Sequence, residues 1–151
     1  MTSTYRGRFA PSPTGPLHFG SLVAAVASYL DAKSAGGEWL VRIDDLDPPR
    51  TVAGAADAIL RTLDVCGMEW DGAVVYQSVR GDAYHAALHQ LRALGRVYPC
   101  ACSRREIADS ALSGIEGAVY PGTCRNGLAS EKNARAWRID TRGADIAFND
   151  A

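Results

Sequence analysis

The sequence predicts an α/β protein with a parallel, doubly wound sheet. Short runs with the alternation of strands are followed by longer runs with helical spacing, and this order repeats along the chain. Glycines and prolines separate the runs, as turns between strands and helices require. The chain has 151 residues, 47% of them hydrophobic, so it is long and apolar enough for one domain with a buried core.

The individual elements follow from local patterns in the first hundred residues. Residues 5–10 alternate polar and apolar side chains and stop at Pro11, as a short strand does. An alanine-rich helix is predicted over 21–35, ending at a pair of glycines. The other predicted elements are strand 38–44, helix 52–66, strand 73–78, helix 82–95 and strand 97–103.

The character of the chain changes near residue 100. Residues 109–133 are rich in Gly, Ser, Asn and Cys and have no strong period, and a strand over 135–142 is expected to return from them. A doubly wound domain normally returns from such an insertion to complete its sheet, so we expect this chain to be an incomplete domain. The predicted parts are a nucleotide- and substrate-binding half over 1–99, an insertion over 100–134 and a returning segment over 135–151.

Composition excludes several classes of protein. The formal net charge is −1, so no global basic field attracts nucleic acid, although a local patch remains possible. No apolar run approaches the roughly 20 residues of a membrane-spanning helix. The amino terminus lacks the apolar core of a signal peptide, so we expect a cytoplasmic protein without a membrane partner.

The loop PSPTGPLHFGS, residues 11–21, connects the first strand to the first helix. Such a loop places helix N–H groups and the positive end of the helix dipole at the carboxyl edge of the sheet, where phosphates bind. Gly15 and Gly20 allow a ligand or backbone to approach closely, and His18 can donate to phosphate oxygens. An ordinary βα loop with a surface histidine fits this pattern equally well.

Charged residues near the ends of the first two strands suit an amino-acid substrate. Asp44 begins a cluster of three aspartates that can attract an ammonium group. Arg8 carries a guanidinium fork that can bind a carboxylate with two parallel hydrogen bonds. From composition alone, helix capping and exposed ion pairs are the better interpretation of both features.

Three clustered cysteines give the most specific chemical signal. Cys100 and Cys102 lie in one turn and Cys124 in a later loop, a spacing that favours a metal site in a reducing compartment. Zinc takes four ligands and can stabilise an insertion without a core of its own. The residues leave the fourth ligand open: Cys66 is expected to be a small buried side chain, and the two histidines of the third helix are expected to form a polar face.

The loop sequence resembles the His-x-Gly-x motif of class I aminoacyl-tRNA synthetases in its glutamate-specific form, which lacks the final histidine of the general motif. The resemblance continues through GGEWLVRIDDLDPPR, WDG, YQS and YPCACSR, and so covers almost the whole chain. The segments HFGSL and DLDPPR are most similar to those of the glutamyl-queuosine tRNA(Asp) synthetases. These enzymes are shortened relatives of glutamyl-tRNA synthetase without its anticodon-binding domain. The resemblance implies a class I catalytic domain with a Rossmann-like sheet and a zinc-binding insertion.

The resemblance also implies the site residues. The implied catalytic motif is His18, Gly20 and Ser21, and the ATP-binding residues are Pro11, Gly15, His18, Gly20 and Ser21. The implied glutamate-binding residues are Arg8, Phe9, Ala10, Pro11, Ser12 and Asp44. Asp44 matches the acidic residue that holds the α-amino group of glutamate. Most relatives carry Glu there, so Asp keeps the charge but loses reach, and a water can bridge the gap. The implied zinc ligands are Cys100, Cys102, Tyr120 and Cys124.

The implied function is a two-step ligase reaction by a monomeric enzyme. ATP with Mg²⁺ activates L-glutamate to glutamyl-adenylate, and the glutamyl group passes to the queuosine base of tRNA(Asp). The family's second, lysine-containing ATP loop has no match in this sequence, so the chain alone is expected to be weakly active or inactive. The alternatives are part of an ordinary glutamyl-tRNA synthetase and a non-catalytic, zinc-bearing nucleotide- or RNA-binding module.

Overall fold

A computed structural model describes residues 4–110, 113–114, 117–129, 131–144 and 147. The chain divides into two compact units, Met1–Asp82 and Ala83–Ala151. The division lies well before the boundary between residues 99 and 100 that the sequence predicted. Three predicted features lie partly outside the described residues: the loop-rich insertion, the returning segment and the extreme carboxyl end.

The first unit contains the parallel sheet that the sequence predicted, in partial form. Its three strands are parallel neighbours in the order β1-β2-β3, and Phe9 of β1 pairs with Val41 of β2. Each strand is followed by a helix or helical turn, so the first two connections are βαβ crossovers. The elements of this unit are β1 (Arg6–Phe9), α1 (Phe19–Ser34), β2 (Glu38–Ile43), α2 (Ala55–Val65), β3 (Val75–Tyr76) and a 3₁₀ turn (Gln77–Arg80).

Trp39 is the centre of the apolar core of this unit. Its side chain is fully buried, stacks on Phe9 with ring centroids 6.3 Å apart, and meets Tyr29 edge to face at 5.2 Å. The indole N–H donates to the Ser28 hydroxyl at 3.0 Å, so the one polar atom of the ring is satisfied. The other large buried side chains described here are Val41, Ile43, Ile59, Leu63 and Met68.

Gly7 allows α1 to lie close against β1. A Cβ on Gly7 would come within 2.9 Å of the Ala32 Cβ and 3.1 Å of the Ser28 carbonyl oxygen. Ala25 and Ala32 are the buried residues of α1, so the helix packs on the sheet through small side chains. This close packing sets the position of the amino terminus of α1 relative to the end of β1.

The helix predicted over 52–66 begins later than expected, at Ala55. Residues 48–50 form a turn instead, and Gly54, with φ +77°, is the residue that caps the helix. A positive φ is outside the helical region, so the helix cannot extend upstream of Gly54.

In the second unit, the fourth strand belongs to a different sheet from the one that the sequence predicted. The strand lies over Val97–Cys100 but pairs antiparallel with the strand Ala136–Ile139, with Tyr98 opposite Arg138, and does not extend the parallel sheet. The predicted insertion over 100–134 holds a short helix and a hairpin. The elements are α3 (Gly81–Ala93), which spans the division between the units, β4 (Val97–Cys100), α4 (Arg104–Ala108), β5 (Ser113–Gly114), β6 (Gly117–Ala118) and β7 (Ala136–Ile139).

Within the described part of the chain, no helix combines the length and the apolar character that a membrane span requires.

Candidate functional site

The loop between β1 and α1 is tied to the rest of the first unit by backbone hydrogen bonds. The Pro11 carbonyl accepts from the Asp44 N–H at 2.9 Å, and the Pro13 carbonyl accepts from the Val52 N–H at 2.9 Å. Pro11 and Pro13 are buried, whereas Ser12 between them is exposed. The prolines therefore hold the loop against the sheet and turn the intervening side chain outward.

His18 caps the amino terminus of α1. Its Nδ1 accepts from the Ser21 backbone N–H at 3.2 Å, and its Nε2 lies 3.1 Å from the Ser21 hydroxyl. A Cβ on Gly20 would lie only 3.3 Å from the imidazole Cε1 and Nδ1, so glycine leaves space for the ring. The histidine is exposed and its orientation is fixed by Ser21, at the end of a helix where the dipole is positive.

A cavity of about 400 Å³ lies between the end of β1 and the start of α1. Gly15 in its wall has φ +147°, a conformation that favours glycine. The structure thus brings together most of the residues predicted for ATP and glutamate. The lining residues are Phe9, Ala10, Pro11, Ser12, Thr14, Gly15, Pro16, Leu17, His18, Gly20, Ser21 and Ala24.

Two predicted glutamate-binding residues, Arg8 and Asp44, are not among the residues lining this cavity. Arg8 is exposed while Phe9 is buried, because successive side chains of a strand point to opposite faces. Asp44 is hydrogen-bonded to the loop through its backbone, but its carboxylate faces Arg42. The Arg42 guanidinium donates to both carboxylate oxygens, at 2.6 Å and 3.0 Å.

The other two aspartates of the cluster have structural roles, as the sequence suggested. The Asp45 carboxylate accepts from the Ser78 N–H at 2.9 Å and from the Ser78 hydroxyl at 2.6 Å. Burial on its own would raise the pKa of Asp45, but the hydrogen bonds from Ser78 outweigh it and lower the pKa. Asp47 pairs with Arg50 at 2.6 Å and closes the turn before α2.

The second unit brings the three predicted cysteine ligands together. The Sγ atoms of Cys100, Cys102 and Cys124 all lie within 4.8 Å of one another, and those of Cys102 and Cys124 are 3.6 Å apart. The Tyr120 hydroxyl lies 3.5 Å from the Cys100 sulfur and accepts from the Cys124 N–H at 2.8 Å. Tetrahedral zinc with bonds of about 2.3 Å to sulfur separates its thiolates by about 3.8 Å, so this group fits zinc.

Arg138 on β7 changes the electrostatics of this cluster. Its guanidinium carbon lies 3.9 Å from the centre of the Tyr120 ring. Burial would raise the pKa of the Cys100 thiol, but hydrogen bonds from Arg138 and Tyr120 lower it to about 6. Burial and the neighbouring thiols raise the pKa of Cys102, and burial raises that of Tyr120. One thiolate is therefore favoured even without a metal.

The prediction that Cys66 is buried is wrong. Cys66 is exposed and follows the last residue of α2, Val65. His85 and His89 are exposed on α3, as expected for a polar helix face.

The ion pairs expected at the aspartate cluster form between Arg42 and Asp44 and between Arg50 and Asp47. Sequence reasoning missed Arg138 as a partner of the cysteine cluster, since its contacts depend on the long-range pairing of β4 with β7. Thr14 and Leu17 in the cavity wall were also missed, although they lie inside the loop that was singled out.

Comparison with known families shows the family to which the chain belongs. The family described as tRNA synthetases class I (E and Q), catalytic domain, matches residues 4–134. The chain belongs to this family. The class I catalytic domain that the sequence motifs implied is thereby confirmed.

Individual relatives refine this assignment. The chain is 64% identical over 152 residues to a protein of Dechloromonas aromatica named glutamyl-Q tRNA(Asp) synthetase, covering 99% of this chain and 50% of that protein. A protein of the same name from Chromobacterium violaceum is 64% identical over 135 residues, covering 89% and 45%. The chain therefore spans about half the length of the curated relatives it matches.

A solved structure of a class I enzyme supports the fold of the catalytic domain. It is a glutamate tRNA ligase from Elizabethkingia meningosepticum in complex with its amino acid. The two chains are 36% identical with a TM-score of 0.64, over 71% of this chain and 23% of that chain.

Proposed function

We propose that this chain is the ATP- and glutamate-binding part of a glutamyl-Q tRNA(Asp) synthetase. The cavity between β1 and α1, lined by His18, Gly20 and Ser21, is the observation that carries this proposal. The curated relatives with this name support the choice of enzyme. The enzyme activates L-glutamate with ATP and transfers the glutamyl group to the queuosine base of tRNA(Asp). It works as a monomer in the cytoplasm, where its tRNA is found.

In the activation step, the glutamate carboxylate attacks the α-phosphate of ATP and pyrophosphate leaves. His18 donates to the phosphate oxygens that gain charge, and the amino terminus of α1 adds its positive dipole end. The hydrogen bonds to Ser21 hold the imidazole at this place before ATP arrives. Mg²⁺ bound with ATP would neutralise phosphate charge. No side chain needs to act as a nucleophile, so positioning and charge provide the catalysis.

Glutamate recognition is assigned to Arg8 and Asp44 together with the loop from Phe9 to Ser12. Within the described residues, the Arg8 side chain has no hydrogen bond or ion pair, so its fork is available for a substrate carboxylate. Asp44 takes the ammonium group, directly or through a water. The Arg42 guanidinium fixes the Asp44 carboxylate and leaves it further lone pairs with which to accept.

We also assign one structural zinc to the insertion of residues 100–134. Its ligands are the three clustered thiolates and the hydroxyl of Tyr120, and their separations support this set. Zinc would counteract the raised pKa of Tyr120 and stabilise its phenolate.

Glutamate-dependent exchange of pyrophosphate into ATP tests the activation step. It is measured on this chain and on a version extended to the length of its curated relatives. In the extended protein we expect robust exchange, and His18→Ala should lower it by about 10²-fold or more. His85→Ala is the matched control, because it removes an exposed histidine of the second unit. Equal activity of the two variants, or no exchange by the extended protein, would contradict the proposal.

An ordinary glutamyl-tRNA synthetase is the second candidate, because the solved glutamate tRNA ligase is 36% identical to this chain over the aligned residues, which are 71% of this chain. Transfer of glutamate to queuosine-modified tRNA(Asp) and to tRNA(Glu) separates the two enzymes. We expect product only on queuosine-modified tRNA(Asp), and charging of tRNA(Glu) would favour the second candidate.

A further inference from the structure

Two thiols of the cysteine cluster are already in contact. The Sγ atoms of Cys102 and Cys124 are 3.6 Å apart, and the residues are 22 positions apart in the chain. A disulfide bond of about 2.05 Å requires the two sulfurs to approach by only about 1.5 Å. Cys102 is half-buried, so small solutes reach this pair through it, whereas Cys124 is buried.

The third thiol lies within 4.8 Å of the other two but has a further partner. Cys100 is fully buried, and its sulfur is hydrogen-bonded to the Tyr120 hydroxyl at 3.5 Å. A small oxidant therefore meets Cys102 first, and the Cys124 sulfur is in contact with it. The fourth cysteine, Cys66, is exposed at the end of α2 in the first unit.

We propose that Cys102 and Cys124 are a reversible oxidation site, which forms an intrachain disulfide when a peroxide meets the metal-free chain. One sulfur attacks a peroxide oxygen, the O–O bond breaks, and a sulfenic acid and a water form. The second sulfur attacks the sulfenic sulfur, the S–S bond forms, and the hydroxyl leaves as a second water. The two thiols lose two electrons and two protons in total, and the peroxide is reduced to two waters.

Metal binding and this disulfide exclude each other. A thiolate that binds zinc uses the electron pair with which it would attack the peroxide, and a disulfide offers no thiolate to zinc. The disulfide itself does not depend on the proposed zinc site. Only the protection by metal does, so the two can fail separately.

The experiment uses the chain with Cys66→Ser, because an exposed thiol forms bonds between chains. The metal-free protein is treated with stoichiometric hydrogen peroxide, digested with trypsin and measured by mass spectrometry. We expect the peptides of residues 97–104 and 106–125 to be joined, with the loss of two hydrogen atoms, and dithiothreitol to separate them. Fragmentation of the joined peptides should locate the bond at Cys102.

Two further variants form a matched pair within one peptide. Cys102→Ser should lose the bond between the peptides, and Cys100→Ser should keep it. A bond located at Cys100, an equal yield in Cys102→Ser, or oxidation without any bond to Cys124 would overturn the proposal. Fragmentation of the parent protein decides the question even if a variant does not fold.

Prior addition of zinc alone tests the competition with metal. We expect stoichiometric zinc to slow formation of the disulfide by roughly tenfold or more, and the disulfide to prevent zinc binding until it is reduced. Disulfide formation at the same rate with and without zinc would overturn the competition.

Discussion

The first unit buries a core of large apolar side chains around Trp39, whereas the buried residues described in the second unit are Cys100, Ala101 and Cys124. Burial of a large apolar side chain contributes about 1.5–3 kcal/mol, so the core alone can maintain the parallel sheet. Two thiols and a methyl group cannot do the same for a pair of short strands. We infer that hydrophobic packing stabilises the first unit and that the proposed zinc stabilises the second.

Removal of zinc should have the largest effect, and only on the second unit. Apparent binding free energies of structural zinc in small peptides are about 10–16 kcal/mol, far above what the buried side chains supply here. A chelator, or Cys124→Ser, should therefore abolish stoichiometric zinc and the slow hydrogen exchange of β4 and β7. The amides of β1 and β2 should stay protected. Metal analysis and hydrogen exchange with mass spectrometry measure both quantities.

Cys66→Ser is the control for this prediction, since Cys66 is exposed and outside the cluster. The variant should bind zinc like the parent protein. Retention of zinc by Cys124→Ser, or unchanged protection of β4 and β7 after chelation, would show that the second unit does not depend on the metal.

Truncation of a core side chain should destabilise the first unit and leave the second unit unaffected. Trp39→Ala removes a fully buried ring that contacts Phe9 and Tyr29, and should lower the free energy of unfolding of the first unit by about 3–5 kcal/mol. Zinc content should not change. Urea unfolding, followed by hydrogen exchange of each unit, measures the loss.

Trp137→Ala is the matched control. Trp137 is 40% exposed, and the Arg92 guanidinium carbon lies 4.4 Å from its ring centre. We expect a loss of about 1 kcal/mol or less, because a partly exposed cation–π pair contributes little. A larger loss for Trp137 than for Trp39 would reverse the comparison of the two units.

The same contrast explains what the sequence could predict. In the first unit, strand alternation, helical spacing and the glycines after α1 are local signals, and they located three strands, two helices and the His18 loop. The start of α2 was missed because the turn over 48–50 and the positive φ of Gly54 have no periodic pattern. The alternation of side chains along β1 explains why Arg8 does not line the cavity. The family motif, however, had implied that Arg8 binds glutamate.

In the second unit, the spacing of the cysteines predicted their cluster, whereas the sequence did not predict how the strands pair. The cysteine spacing predicted three residues that the fold brings together, because ligand geometry restricts sequence strongly. The partner of β4 was not predictable, since antiparallel pairing with β7 depends on contacts about forty residues apart, beyond any local period. The helix α4 spans five residues, which is too short for helical spacing to emerge, although Ser103 and Glu106 form a capping box at its start.

The smallest expected effect concerns the polar contacts of Asp45 at the edge of the sheet. It shows whether these contacts add to the stability that the core gives to the first unit. Asp45→Asn replaces a carboxylate that accepts two hydrogen bonds from Ser78, and should cost less than about 1 kcal/mol at neutral pH because the pair is partly exposed. Those bonds lower the pKa of Asp45 below its usual value of 3.8. A lowered pKa means that the folded state favours the charged form, so the contribution is present above about pH 3.8 and is lost as the pH falls further.

The measurement is the difference in urea stability between the parent protein and Asp45→Asn as a function of pH. The difference should be constant between pH 5 and 7 and decrease in acid, where the carboxyl of the parent protein becomes protonated. Ser78→Ala removes the hydroxyl donor but keeps the backbone donor, and should show part of the same effect. A difference that persists unchanged in acid would mean that Asp45 acts through shape and not through charge.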